Sequence, residues 1–159
     1  MKTLVWMVAA LGLAAAQSAT AKPPVQLSQD IVSAAQKASQ DGDLEEAARL
    51  YEAAIVADPA SVSAYVGLGK TQAALKRPKS AKRYFQTAVK IDPNNLGALE
   101  AQSVHYIALG DLMQAEKNIN RLRRLCVNGC EALSSVLKAY DQALEQTRTR
   151  VLGEGPDGR

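Results

Sequence analysis

The sequence predicts an all-α fold of stacked helix pairs that a last single helix closes. Three observations predict this fold. A spacing of 34 residues recurs along the chain, and each unit of that length holds two helix-length stretches around a turn. The apolar positions also continue past the third unit into one more helix. A fixed period in this range is typical of solenoids, in which each unit buries its apolar face against the next.

The period is visible at several positions at once. Asp58-Pro59 recurs as Asp92-Pro93, 34 residues later. Five further series keep the same spacing, and such agreement in register indicates true repeats. The series are Ala47, Ala81 and Ala115; Tyr51, Phe85 and Ile119; Ala54, Ala88 and Leu122; Ile31, Tyr65 and Leu99; and Ala35, Gly69 and Ser103. They divide the chain into the units 28–61, 62–95 and 96–129.

Turn residues separate the two helices of each unit. Gly42 and Gly110 can adopt the left-handed conformation that ends a helix. In the middle unit the turn is Lys76-Arg77-Pro78, with the proline at a first-turn position that tolerates a missing N–H. The Asp-Pro pairs end the second helix, because the residue before proline is pushed out of the α region. Small residues in the series allow the paired helices to approach closely.

These residues resemble the tetratricopeptide repeat. The stretch "SAYVGLGKTQAALKRPKSAKRYFQTAVKIDPNN" carries the resemblance at Tyr65, Leu68, Gly69, Ala81, Phe85, Ala88 and Pro93. The third unit departs from the pattern, since Gln102 stands where an apolar residue is expected and Cys126-Val127 replaces Asp-Pro. The resemblance implies a right-handed α-solenoid of three helix pairs with a concave groove. It also implies a non-enzymatic scaffold or adaptor that binds a peptide or protein segment in that groove.

The remaining segments are predicted from the same register. Residues 130–147 form a capping helix whose outer side is polar, as the last unit of a solenoid requires. Residues 22–27 are expected to be an extended lead, and residues 148–159 a disordered tail.

Residues 1–21 have the pattern of a secretory signal peptide of the exported bacterial type. Lys2 precedes an apolar run, and Ala19-Thr20-Ala21 supplies the small residues at which cleavage occurs. The apolar run is shorter than the roughly 20 residues that span a bilayer. We therefore expect export, most simply to a bacterial periplasm, without stable membrane insertion after cleavage.

Both cysteines flank one corner of the chain. Cys126 ends the sixth predicted helix, Cys130 begins the cap, and Asn128-Gly129 between them favours a tight turn. In an oxidising compartment this pair is predicted to form a disulfide. The alternative is a copper(I) or thiol-redox accessory module that uses the same two sulfurs. His105 is predicted to lie far from the pair, as a packing or surface residue.

Function is predicted to reside in binding rather than catalysis. We find no nucleophile motif, phosphate-binding loop or paired carboxylates, so the sequence predicts no enzyme, no cofactor and no metal. A formal net charge of +3 does not indicate binding to nucleic acid. The expected partner is a protein or peptide, with a second copy of this chain, in a homo-oligomer, as an alternative. Two basic clusters are interpreted as solvated faces, with anionic lipid or an acidic partner as alternatives: Lys76, Arg77, Lys79, Lys82 and Arg83; and Arg121, Arg123 and Arg124. The predicted groove residues are Gln36, Val66, Lys70, Ala73, Glu100, Val104, Ile107 and Lys138.

Overall fold

A computed structural model describes residues 22–153, which form seven α-helices and contain no strand. The helices are α1 (Pro24–Gln40), α2 (Leu44–Ala57), α3 (Val62–Ala74), α4 (Pro78–Ile91), α5 (Leu96–Ala108), α6 (Leu112–Leu125) and α7 (Glu131–Leu152). The predicted all-α solenoid of three helix pairs and a last helix is confirmed. The predicted signal peptide lies outside the described residues.

The helices form two layers. Each odd-numbered helix packs on the next odd-numbered one, from α1 through α3 and α5 to α7. Within the described part of the chain, α2, α4 and α6 contact only odd-numbered helices and never each other. The odd helices therefore form a continuous inner layer, and the even helices are spread apart on the outside.

Small residues bring the two layers together. Ala35, Ala47, Ala81 and Ala115 have no exposed surface. Gly69 in α3 packs under the ring of Phe85, and an added Cβ at this glycine would lie 2.6 Å from a ring carbon. Gly67 lies in the same way against Tyr51 of α2. These two glycines thus allow aromatic rings of the outer layer to reach the inner helices.

The turns inside the helix pairs share one backbone conformation. Gly42 and Gly110 have φ values of 86° and 75°. Lys76 holds the equivalent place in the second repeat with φ 59°, and no other non-glycine residue of the described chain has a positive φ. The periodic turn is therefore kept in the middle unit without the residue that adopts it most easily.

The extended lead predicted for residues 22–27 is wrong from Pro24 onward. Pro23 has extended dihedral angles (φ −55°, ψ 142°) and precedes a helix whose first residue is Pro24. The Leu27 N–H donates to the Pro23 carbonyl over 2.9 Å. Proline suits the first helical position because its φ is already helical and its missing N–H would have no partner there.

The disordered tail predicted for residues 148–159 is wrong for its first five residues. Helix α7 continues to Leu152 and ends at Gly153, whose φ of 70° is left-handed. Residues 148–152 contain no glycine or proline, so nothing stops the helix before that point. The rest of the predicted tail, residues 154–159, lies outside the described part of the chain.

Gln102 shows how the third repeat accommodates a polar residue at an apolar position. Its side chain is buried, and its Oε1 accepts a hydrogen bond of 2.9 Å from Asn118 Nδ2. A buried amide is tolerated when it has such a partner. The pair therefore joins α5 to α6.

Candidate functional site

Two adjoining pockets lie along the inner helices. The first has a volume of about 340 Å³ and lies between α1, α3 and the start of α5. The second has a volume of about 430 Å³ and lies between α3, α5 and α7. Lys70 of α3 lines both pockets, so they form one groove along the inner layer. We call these two pockets together the inner groove.

The structure brings six of the eight predicted groove residues together. Gln36 and Val66 line the first pocket. Ala73, Glu100 and Val104 line the second, and Lys70 joins the two. Their convergence follows from the repeat, since each predicted position recurs on the exposed side of successive inner helices.

The other two predicted positions lie elsewhere. Ile107 packs against the buried cluster of Leu99 and Ile119, and it lines a separate pocket near the end of α7. Lys138 is exposed and does not line either pocket of the inner groove. Ser135, three residues before Lys138 in α7, lines the second pocket instead, because this position of α7 faces α5.

Two aromatic side chains of the outer layer also line the groove, and sequence reasoning missed them. Tyr51 of α2 lines the first pocket and Phe85 of α4 lines the second. Each ring passes over a glycine of α3. Two glycines two residues apart inside a predicted helix were the signal for this, since a helix keeps such residues where another group must approach closely.

His105 is a buried polar side chain in the wall of the second pocket. Its Nε2 lies 3.1 Å from the Pro78 carbonyl oxygen and donates to it, and its ring lies 5.2 Å from the Phe85 ring. Burial lowers the pKa of His105 below its ordinary value, and the nearby charge of Lys82 lowers it further. The hydrogen bond to the Pro78 carbonyl opposes these two effects by raising the pKa. The imidazole is therefore predominantly neutral at pH 7, and its bond to the Pro78 carbonyl joins α5 to the start of α4.

Groove chemistry is mostly apolar with one charge of each sign. Val66, Ala73, Ala101, Val104 and Ala108 supply aliphatic surface. Lys70 and Glu100 supply the charges. Such a lining fits a protein segment with mixed side chains better than it fits a strongly charged ligand.

The two cysteines form a disulfide at the corner between α6 and α7. The Cα atoms of Cys126 and Cys130 are 5.6 Å apart, and both sulfurs belong to the bond. Gly129 turns the chain with φ 81°, and its N–H donates to the Cys126 carbonyl over 2.9 Å. In this form neither sulfur is the thiolate that copper(I) binding or thiol exchange needs.

The two predicted basic clusters have different neighbours in the structure. In the first, Arg77 forms an ion pair of 2.9 Å with Glu45, and the Lys82 ammonium lies 5.4 Å from the centre of the Tyr106 ring. These contacts join the second repeat to the first and third. In the second cluster, Arg121 and Arg124 line a polar pocket beside α6, whereas Arg123 does not.

Among residues 22–153, no helix is both long enough and apolar enough to cross a membrane. The same residues hold no cluster of three or more His, Cys, Asp or Glu side chains that could hold a metal ion.

Comparison with known sequences locates the repeat. Residues 38–103 match the family described as Tetratricopeptide repeat. The human PEX5-related protein is 38% identical over 85 residues, which are 52% of this chain and 14% of that protein. The chain therefore spans a small part of the curated relatives that it matches.

Comparison with solved structures agrees with the fold. The first TPR of Spaghetti (RPAP3), bound to the HSP90 peptide SRMEEVD, has a TM-score of 0.65 and 24% identity, over 76% of this chain and 95% of that one. The TPR2B domain of yeast Sti1, in a complex with pHsp70, has a TM-score of 0.68 and 18% identity, over 79% and 99%. At these identities the likeness concerns the fold alone.

Proposed function

From the match of residues 38–103 to the tetratricopeptide repeat, we propose that this chain is a non-enzymatic scaffold that binds a segment of a partner protein in the inner groove. The observation that carries the proposal is the continuity of the groove from α1 to α7 through Lys70. Two solved domains of the same fold are in complexes with a heat-shock protein or its peptide. Their occupants support peptide binding as a class but do not identify the partner here.

The lining supports an occupant held mainly by apolar contact. Val104 is 42% exposed at the edge of the second pocket. Phe85 lines the same pocket, and Tyr51 and Val66 line the first one. Lys70 and Glu100 can orient a polar backbone or one charged side chain of each sign. Buried apolar anchors of this kind usually contribute most of the binding free energy of an interface.

A matched pair of valine variants tests the groove. Val104→Arg places a long cation in the groove, and Val56→Arg places the same side chain on α2, where Val56 is 83% exposed. A partner isolated by in-cell photocrosslinking from Val104 should bind the V104R protein at least about tenfold more weakly, as expected for losing an interface anchor. V56R should bind as the parent does. Equal binding by both variants would reject the groove as the site.

We also propose that the protein is exported and works in the cell envelope. Support comes from the pattern of residues 1–21 and from a cysteine pair placed to form a disulfide, which persists in oxidising compartments. N-terminal sequencing of protein from the periplasmic fraction should begin at Lys22. An intact Met1 in the cytoplasmic fraction would contradict the proposal.

A further inference from the structure

A second concave site lies outside the inner groove, between the outer helix α6 and the turn that joins α4 to α5. Its volume is about 390 Å³. It shares no lining residue with either pocket of the inner groove. Its lining consists of Asn94, Lys117, Asn118, Arg121, Arg124 and Leu125. We call it the outer pocket.

Three cations with no opposing carboxylate dominate the outer pocket. Lys117, Arg121 and Arg124 follow the spacing i, i+4, i+7, which places them on one side of α6 along about 10 Å of its axis. Among residues 22–153 none of the three has an ion-pair partner. The carboxylate of the adjoining turn, Asp92, accepts from the Asn94 N–H over 3.0 Å and from the Asn95 amide over 3.5 Å. No acidic side chain lines the pocket.

Hydrogen bonds hold part of this lining in place. Arg121 donates to Asn94 Oδ1 over 3.3 Å, which connects α6 to the turn. Asn118 Nδ2 donates to the buried Gln102. These bonds leave Asn94 Nδ2 and Asn118 Oδ1 for a ligand, one as a donor and the other as an acceptor. The pocket thus combines ordered amides with two guanidinium groups, which suit carboxylates by their fork geometry.

We propose that the outer pocket binds an acidic segment of a partner protein. Alternate side chains of an extended segment lie about 6.6 Å apart, so carboxylates on one side of it match the row of cations, whereas one phosphate group covers only part of that row. The two amides suit a peptide backbone, and Leu125, 38% exposed, offers contact to an aliphatic side chain. This site goes beyond groove binding, because it lets one scaffold hold two protein segments on separate faces.

A charge-matched comparison tests the proposal. The probe is a short fluorescein-labelled peptide of alternating glutamate and alanine, and its control peptide has glutamine in place of glutamate. The proteins are the parent, Arg124→Gln, Arg121→Gln/Arg124→Gln, and Lys79→Gln/Arg83→Gln as a control with the same charge loss in the other basic cluster. R124Q leaves the bond between Arg121 and Asn94 in place because Arg124 takes no part in it, so weaker binding by this variant would reflect the lost charge. Circular dichroism checks that each variant is folded.

Fluorescence anisotropy should show that the acidic peptide binds and the glutamine peptide does not. The double variant R121Q/R124Q should weaken binding by at least about tenfold, and K79Q/R83Q by less than about twofold, because charge-assisted bonds act at contact whereas net charge acts weakly through salt. Equal weakening by both double variants would overturn the proposal, since it would indicate general attraction. The proposal would also be overturned if the protein did not bind the peptide but sedimented with phosphatidylglycerol vesicles, and if R121Q/R124Q abolished that sedimentation. This result would assign the pocket to lipid phosphate.

Discussion

Replacing Gly69 with alanine is expected to destabilise the protein, although alanine is the better helix former. The substitution gains about 1 kcal/mol of intrinsic helix propensity. Its new Cβ would lie 2.6, 2.8 and 3.0 Å from three carbons of the Phe85 ring. Phe85 is 2% exposed and packs beside Ala81 and Ala101, so the ring can move only by disturbing the core.

The difference between these two effects gives the direction of the change in stability. Overpacking of a tight core costs about 1–3 kcal/mol, so the net loss in unfolding free energy lies between about 0 and 2 kcal/mol once the propensity gain of about 1 kcal/mol is subtracted. Three contacts at or below 3.0 Å favour the upper half of that range. Urea unfolding followed by far-ultraviolet circular dichroism measures it. Gly97→Ala is the matched control, because the nearest atom to a Cβ there is Asn95 Oδ1 at 3.5 Å, an ordinary contact. That variant should be more stable by about 0.5 kcal/mol.

A double-mutant cycle assigns the cost to the ring. In a Phe85→Leu background the side chain opposite Gly69 is smaller and flexible, so the same glycine-to-alanine change should cost little or become stabilising. If G69A proves as stable as G97A, or if its cost persists in the F85L background, the reasoning from close approach is refuted.

Three further predictions concern the turns, the corner and the buried histidine. Lys76→Gly should stabilise the fold by about 0.5–1 kcal/mol in the same urea assay, because relief of a left-handed side chain (about 1–2 kcal/mol) exceeds the flexibility that glycine adds to the unfolded chain (about 0.5–1 kcal/mol); Gly110→Lys should have the opposite sign, and a loss on K76G would contradict the argument. Cys126→Ser/Cys130→Ser should cost about 2 kcal/mol on the loop-entropy estimate, and thiol titration of exported parent protein should find no free thiol; two reactive thiols would instead support the copper or redox alternative. Because burial lowers the folded-state pKa of His105, the unfolded chain binds the proton more readily, so stability should be level above about pH 6.5 and fall as the pH drops below it. His105 is the single histidine of the chain, so His105→Gln should flatten that dependence, and an unchanged slope would exclude His105 as its source.

The repeat and most of the inner groove could be predicted from sequence because both follow the 34-residue period. A residue type that recurs at one place in every unit reports a shared environment, as Ala47, Ala81 and Ala115 do. Six of the eight groove positions were found by counting along the inner helices. Periodicity places a residue on a helix face to within a fraction of a turn, which is enough for Val66 and Val104.

Features that occur once in the chain could not be predicted in this way. The helical start at Pro24 and the continuation of α7 to Leu152 depend on local chain ends, which have no counterpart in another repeat. Ser135 rather than Lys138 enters the groove because the rotation of α7 depends on its packing against α5. The bond between Gln102 and Asn118 needs two side chains that are 16 residues apart, and no pattern in either helix reports it.

Because of the two-layer arrangement, we expect the solenoid to flatten more easily than it curls. Flattening the curve would move α2, α4 and α6 toward one another, and these helices make no contact with one another. Tightening the curve would instead press α1, α3, α5 and α7 together, and close-packed side chains resist compression. The groove therefore has a fixed minimum width but can widen. We therefore expect the groove to open for a bulky occupant but not to close around a thin one.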